Sequence, residues 1–334
     1  MHTIMLKKTM KILLKIFCFV ILIHPSTYAN QADDFNNWVL SFKSRAIKEG
    51  IKEQTFDRAF KDVKFLERLL IYDKRQPEFI ETTSVYVGKR VTNQRVLKAK
   101  DFIKENEKLL NKISNEFKVP KEYLLALWGV ETSFGVHKGK VNTVSALATL
   151  SFDKRRSEYF SKELIILLKL LDMKKISYNS LFGSWAGAHG NFQFMPSSIK
   201  KYAIDYDKDG TIDLVNSLED SFASAANYLS KIGWNNNYPW GQEVTSNKQI
   251  NLNIITTDAR KLTKSFTKNK WQELGINNEI LFKSKIKLKL VRPDGDTGPL
   301  FLVSSNYEKL LHWNRSLRFA ISIGIFADKI KNEI

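Results

Sequence analysis

The stretch Trp128-Gly129-Val130-Glu131-Thr132-Ser133-Phe134-Gly135 closes a helix that Pro120 is placed to open as its first residue. Leu124, Leu127, Trp128 and Glu131 fall at i, i+3, i+4 and i+7, one stripe of a helix. A carboxylate on an apolar stripe is unusual, because acidic side chains are seldom buried without a partner. Two effects favour its protonated form: partial burial penalises charge, and a helix ending near Gly135 puts Glu131 toward the negative end of the dipole. A carboxylic acid that keeps its proton near neutral pH can hand it to a leaving oxygen. The structural alternative is a glutamate that caps the amides of a neighbouring loop.

Outward along the chain, the run Ser184-Trp185-Ala186-Gly187-Ala188-His189-Gly190-Asn191-Phe192-Gln193-Phe194-Met195-Pro196-Ser197-Ser198 mixes small, aromatic and amide residues. Glycines let a backbone approach a ligand closely. Aromatic rings stack on the apolar faces of sugars, and Asn191, Gln193 and Ser184 offer hydrogen bonds to hydroxyl and acetamide groups. The bland reading is a tight turn before a helix, since Pro196-Ser197-Ser198 is also a helix start.

These two clusters resemble the lytic transglycosylase B family, and so, in the same order along the chain, do Ser151-Phe152-Asp153, Gly298-Pro299 with Phe301, and Trp313-Asn314-Arg315-Ser316. The resemblance covers most of the chain and implies a lysozyme-like core. It implies that Glu131 is the single catalytic acid/base and that Ser184 holds the substrate's N-acetyl group. It places Tyr228 and Tyr86 along the cleft, sets Arg155 and Arg156 against peptide or lactyl carboxylates, and gives Trp313 and Asn314 to the substrate site. Two residues depart from the family pattern: His189 stands where an apolar residue is usual, and Asn191 where a glutamine is usual. Asn191 is expected to keep a substrate contact through water, and His189 to be a hydrogen-bonded turn residue.

The implied reaction is non-hydrolytic cleavage of peptidoglycan between N-acetylmuramic acid and N-acetylglucosamine, leaving 1,6-anhydro ends. It needs one carboxylate and no cofactor, whereas ordinary glycosidases use two carboxylates. Asp153 is the nearest second acid and reads first as structural. The rivals are a hydrolytic muramidase and a non-catalytic module that binds the wall.

Asp205-x-Asp207-x-Asp209-Gly210-Thr211-x-Asp213 follows the oxygen-ligand spacing of an EF-hand loop, with glycine at position 6. Asn216 stands at position 12 in place of the bidentate glutamate, so Asp205, Asp207, Asp209, Thr211 and Asn216 form the expected ligand set. Calcium binding there should be weak, about 10⁻⁴ to 10⁻³ M, and structural. An acidic surface turn is the alternative.

The remaining sequence reads as mostly helical, an α+β arrangement. Residues 30–118 form a helical N-terminal domain, and 119–242 the catalytic core with the acidic loop. Residues 243–304 carry strand-like runs at Ile250 to Ile255, Ile286 to Leu290 and Gly298 to Val303, and 305–334 return to helix. Single helices are expected over Leu97 to Phe117 and over Asn306 to Ile330. Ser217, with Asp220 three residues on, should cap another that stops at Gly233.

Residues 1–29 read as a secretory leader: Lys7, Lys8, Lys11 and Lys15 precede the apolar run Ile16 to Ile23, and Thr27-Tyr28-Ala29 offers a cleavage site. An uncleaved anchor is the alternative, although the apolar run is short for a membrane span. Cys18, the one cysteine of the chain, lies in that run, which excludes a disulfide framework and a catalytic thiol in the mature protein. The expected setting is periplasmic. A net charge of +18 suits a polyanion, and with no nucleic-acid motif the expected partners are glycan strands and other cell-wall enzymes, met by a monomer.

Overall fold

The computed structural model describes residues 24–72, 81–277 and 279–333. Cys18 and most of the expected leader lie outside them. The first described helix, α1 (His24–Lys48), stacks Phe35 on Trp38 and Trp38 on Phe42, with ring centroids 5.8 and 5.0 Å apart. Phe42 meets Phe56 and Phe60 of α2 (Glu53–Phe60), an aromatic seam that continues to Phe152 in the core. After α3 (Arg68–Tyr72), α4 (Thr83–Arg90) and α5 (Asn93–Glu105) each start on a threonine whose hydroxyl accepts a backbone N–H of the first turn.

The helix expected over Leu97 to Phe117 is two. Asn106 leaves helical geometry at φ −121°, and its amide donates back to the Phe102 carbonyl, ending α5 and starting α6 (Glu107–Phe117). Pro120 then caps α7 (Lys121–Thr132) from just outside instead of forming its first residue. Tyr123 through Gly129 are all buried, so α7 is apolar all round and not the two-faced helix expected.

The core continues through β1 (Val141–Asn142), α8 (Thr143–Phe152), α9 (Ser157–Asp172) and β2 (Phe182–Gly183), which pairs antiparallel with β1. It closes with α10 (Pro196–Tyr202) and α11 (Leu218–Lys231), the latter capped by the Ser217 hydroxyl as expected.

The strand-rich segment holds β3 (Gly241–Val244), β4 (Ile255–Thr256), α12 (Lys268–Glu273), β5 (Lys289–Val291) and β6 (Leu300–Val303). The sheet order is β3-β6-β5-β4, antiparallel except for β4 beside β5, with Val291 opposite Phe301 and Gly241 opposite Val303. It encloses a second small core around Trp271, Leu288, Leu290 and Leu302. The strand expected over Ile250 to Ile255 shrinks to two residues at the sheet edge, because Leu252–Ile254 is a tight helical turn begun by the Asn251 side chain.

The helix expected over Asn306 to Ile330 is also two, α13 (Ser305–Trp313) and α14 (Leu317–Glu333). Asn314 is extended, and the Ser316 hydroxyl caps the new helix by accepting the Phe319 N–H at 3.2 Å. This break leaves the Trp313 ring at a helix end. α14 packs along the length of α7, so the central helix is sheathed by the chain's last element.

Candidate active site

α7 ends in three successive left-handed residues, Ser133, Phe134 and Gly135, with φ of 52°, 61° and 78°. The chain therefore reverses sharply just past Glu131. Thr132 welds that end to the Ser184–Ser198 segment: its hydroxyl lies 2.9 Å from the Asn191 carbonyl and accepts the Gly135 N–H at 3.0 Å.

Glu131 is half-buried, and its Oε1 accepts the indole N–H of Trp313 at 2.9 Å. The Trp313 ring rests among Phe194, Phe192 and Tyr228, with centroids 5.3, 6.3 and 4.6 Å away. One aromatic cluster thus fixes both the indole and, through it, the carboxylate. The Tyr228 hydroxyl lies 3.0 Å from His312 Nδ1 and 3.2 Å from the His312 carbonyl. Burial and the neighbouring Tyr202 hold that phenol above its ordinary value, so it stays neutral.

The Ser184 oxygen accepts the N–H groups of Ala186 and Ala188 at 3.3 and 3.0 Å. With its lone pairs turned inward, the hydroxyl proton is the part left for an incoming acceptor such as an acetamide carbonyl. Gly190 is obligatory in this loop: at φ 74° an added Cβ would lie 2.3 Å from the Leu214 carbonyl oxygen.

Asn191 departs from its expected role. It is buried, its oxygen accepts the Trp128 indole N–H at 3.0 Å, and its nitrogen lies 3.1 Å from the Leu214 and Val215 carbonyls and the Ser221 hydroxyl. The side chain is consumed in pinning the loop to α7 and α11, which leaves no group for a sugar. Gln193 likewise spends its amide nitrogen on the Lys138 and Gly190 carbonyls, at 3.1 and 2.8 Å. His189 was expected to be hydrogen-bonded, yet both ring nitrogens are buried without a partner among the described residues. Desolvation lowers its pKa from 6.5 to about 4, only partly opposed by Asp213, so the ring is neutral.

Tyr86 is almost wholly buried, its ring covered by the Arg90 guanidinium at 3.4 Å, so it contributes packing more than an open cleft surface. Arg155 is exposed between α8 and α9, and the Arg156 guanidinium sits over Tyr159 and Phe160 at 5.0 and 4.7 Å. Asn314 is half-buried in the break after Trp313. Two other buried acids are committed elsewhere. Glu163 accepts the backbone N–H and hydroxyl of Ser197 at 2.8 and 2.7 Å, capping α10.

Asp220 is the second, and it organises the acidic loop, accepting the N–H groups of Tyr206, Asp213 and Asp207 at 2.6, 2.9 and 3.4 Å. Burial raises its pKa and these bonds oppose the rise. Asp205, Asp207 and Asp209 present carboxylate oxygens within 4.8 Å of one another, a set of hard oxygen donors that fits a divalent cation such as calcium. Asn216 instead donates its amide to Asp213 at 2.9 Å, and the Thr211 hydroxyl donates to Asp209 at 2.8 Å. Of the five expected ligands, Asp205, Asp207 and Asp209 present their side-chain oxygens together, while Thr211 at position 7 would offer its backbone carbonyl.

The sequence profile of the transglycosylase SLT domain matches residues 34–328. The chain belongs to this family. Over 201 residues it is 37% identical to the membrane-bound lytic murein transglycosylase B of Escherichia coli (strain K12), which takes in 56% of this chain and 54% of that protein. It thus spans about half the length of the curated relative it matches. SltB3 from Pseudomonas aeruginosa, solved with a NAG-NAM-pentapeptide, superposes with a TM-score of 0.81 at 32% identity, over 89% of this chain and 79% of that one. SltB1 from the same organism gives 0.79 at 28% identity, over 89% and 97%. Escherichia coli Slt35 in complex with calcium gives 0.73 at 27% identity, over 88% and 93%. The helix-rich α+β fold of this chain is that of the lytic transglycosylases. Among the described residues no helix is long and apolar enough to cross a membrane.

Proposed function

We propose that this chain is a peptidoglycan lytic transglycosylase in which Glu131 serves as both acid and base. The observation that carries the reading is the Trp313–Glu131 hydrogen bond within an aromatic cluster, beside a loop whose serine keeps a proton to donate. Glu131 protonates the oxygen bridging N-acetylmuramic acid to N-acetylglucosamine, and that C–O bond breaks. The acetamide of the muramyl unit, held through the Ser184 hydroxyl, supports the electron-poor C1. The carboxylate left on Glu131 then takes the proton from the C6 hydroxyl of the same sugar, whose oxygen closes on C1. An intramolecular nucleophile has a large proximity advantage over water.

One carboxylate suffices, which agrees with Glu163 and Asp220 being committed to protein amides. The positive charge, +14 after the four leader lysines are taken from +18 (18 − 4), the Arg155–Arg156 pair and the match to a relative solved with a NAG-NAM-pentapeptide support a wall substrate bearing peptide stems. The leader-like N-terminus supports a periplasmic site of action. The three aspartates support weak, structural calcium binding by Asp205, Asp207 and Asp209, as the calcium complex of Slt35 encourages. The metal has no step in the reaction. Digestion of purified sacculi by the parent and by Glu131→Gln tests the assignment. The variant should keep the fold and sacculus binding and lose cleavage, and retained cleavage within tenfold of the parent would refute the role.

A further inference from the structure

A cavity of about 500 Å³ opens at the seam between α2 and the end of α9, and none of its lining residues belongs to the glutamate site. Lys52, Arg58 and Lys174 reach its walls, and Leu171 and Ile176 form a buried apolar floor. Its one carboxylate, Asp172, is already engaged, accepting the Thr55 hydroxyl at 2.6 Å and lying 3.8 Å from Lys52 Nζ. Arg58 and Lys174 have no ion-pair partner among the described residues. The pocket therefore gathers cations in excess of its one acid, and their mutual repulsion would be relieved by an anion.

The Arg58 guanidinium is held in place, and Lys174 stands on a fixed backbone. The Arg58 guanidinium lies over the Tyr178 ring, 4.1 Å from its centroid, which spends its face and leaves its N–H edge for a carboxylate. Lys174 sits in a left-handed backbone, φ 55°, locked by its own N–H to the Leu171 carbonyl and by the Lys175 N–H to the Leu170 carbonyl, both at 2.9 Å. The neighbouring Lys175 carbonyl accepts the Ile212 N–H at 2.8 Å, tying this wall to the acidic loop.

We propose that this pocket binds a carboxylate of a peptidoglycan stem peptide, an inference that rests on the wall substrate proposed above. A bare phosphate or an unsubstituted sugar acid would leave the apolar floor unused. A peptide carboxylate carried on short aliphatic residues fills both parts. Because its lining lies outside the cleavage site, a stem held here gives the enzyme a second point of contact with the wall. Two such contacts raise the effective concentration of substrate without any new contact at the reacting bond.

Titration calorimetry with the free stem tetrapeptide, using the full chain, tests this. The double variant Arg58→Ala/Lys174→Ala should bind the peptide at least about tenfold more weakly, as expected for losing two charge-assisted contacts. Amidation of the peptide carboxyls should weaken binding to the parent as much, and the charge-keeping single variant Lys174→Arg should retain most of the parent's affinity. Equal affinity of the parent and the alanine double variant, no binding by the parent, or indifference to amidation would each overturn the proposal. Cleavage of peptide-free glycan by the double variant should match that of the parent. If the parent binds peptide through Arg58 and Lys174 but fails to cleave sacculi, the cleavage reading falls and the pocket stands.

Discussion

Gly129 lies two residues before Glu131 where α7 packs closely on Phe326 of α14, and replacing it with alanine should cost both stability and turnover. A Cβ added there would lie 2.7 Å from Phe326 Cε1 and 3.0 and 3.3 Å from atoms of the Phe134 ring. Neither ring can retreat, since Phe326 is 0% and Phe134 7% exposed. The Arg95 guanidinium adds a further restraint, sitting over both rings while it donates to the Gly129 carbonyl. Alanine gains about 1 kcal/mol over glycine in a helix interior. Overpacking a closed core costs about 1–3 kcal/mol, and immobile rings put this site in the upper half of that range. The net loss should be about 1–2 kcal/mol, a fall in Tm of about 2–6 °C for a chain of this size. The clash is relieved by moving α7, and a displacement of a few tenths of an ångström at Glu131 should lower kcat by about tenfold, given that about 1 Å costs about a hundredfold. Thermal and urea melts followed by circular dichroism give the first quantity, and clearing of sacculus suspensions gives the second. A Tm at or above that of the parent, with full turnover, would show that α7 and α14 do not meet as described.

Trp313→Phe keeps a ring in the aromatic cluster but removes the donor to the carboxylate that Glu131 becomes as it gives up its proton, a bond worth about 1.5–3 kcal/mol. Turnover should fall about ten- to a hundredfold with little change in Tm, and unchanged kcat would remove Trp313 from the mechanism. Millimolar calcium should raise the Tm of the parent by binding the native state, and Asp209→Ala should abolish that response. Melts in calcium, magnesium and chelator that coincide for the parent would reduce the segment to an acidic turn. His189 has a folded-state pKa of about 4, below its ordinary 6.5, so the unfolded chain takes up the proton first on acidification. Its neutral form stabilises the fold above pH 6.5, and that stability drains away as the pH falls toward 4. His189→Met should flatten the stability–pH curve in that window, read from urea midpoints, and an unaltered slope would show that His189 does not titrate with unfolding.

Glu131 stood out as a candidate because a carboxylate interrupted an apolar repeat, and Ser217 and Gly233 were legible because capping chemistry is local. The breaks at Asn106 and Asn314 were not, since an apolar repeat runs straight across each; the Asn106 amide bonds back to the Phe102 carbonyl, whereas at Asn314 the backbone turns extended and the Ser316 hydroxyl caps the next helix. The second small core was hidden for a related reason: β3 (Gly241–Val244) has little β-forming character, β4 is only two residues long, and both owe their form to pairing with distant strands. At the site, residue type was readable and orientation was not. Asn191 carries the amide that a sugar contact needs, yet four neighbours in Trp128, Leu214, Val215 and Ser221 claim it. The bond from Trp313 to Glu131 joins residues on different helices and leaves no trace in spacing. Asp220 looked like an ordinary first-turn acid, and its hold on three amides of the acidic loop depends on a fold that brings the two together.

The central claim is that Glu131 delivers a proton and the substrate's own C6 hydroxyl, not water, closes the reaction. Digestion of purified sacculi in water enriched in heavy oxygen, followed by mass analysis of the released fragments, tests it directly. The account predicts muramyl ends about 18 mass units lighter than hydrolysed ends, carrying no heavy oxygen from solvent, because the nucleophile is intramolecular. Those products should be absent with Glu131→Gln. Reducing muramyl ends labelled from the solvent would contradict the account and make the enzyme a hydrolase.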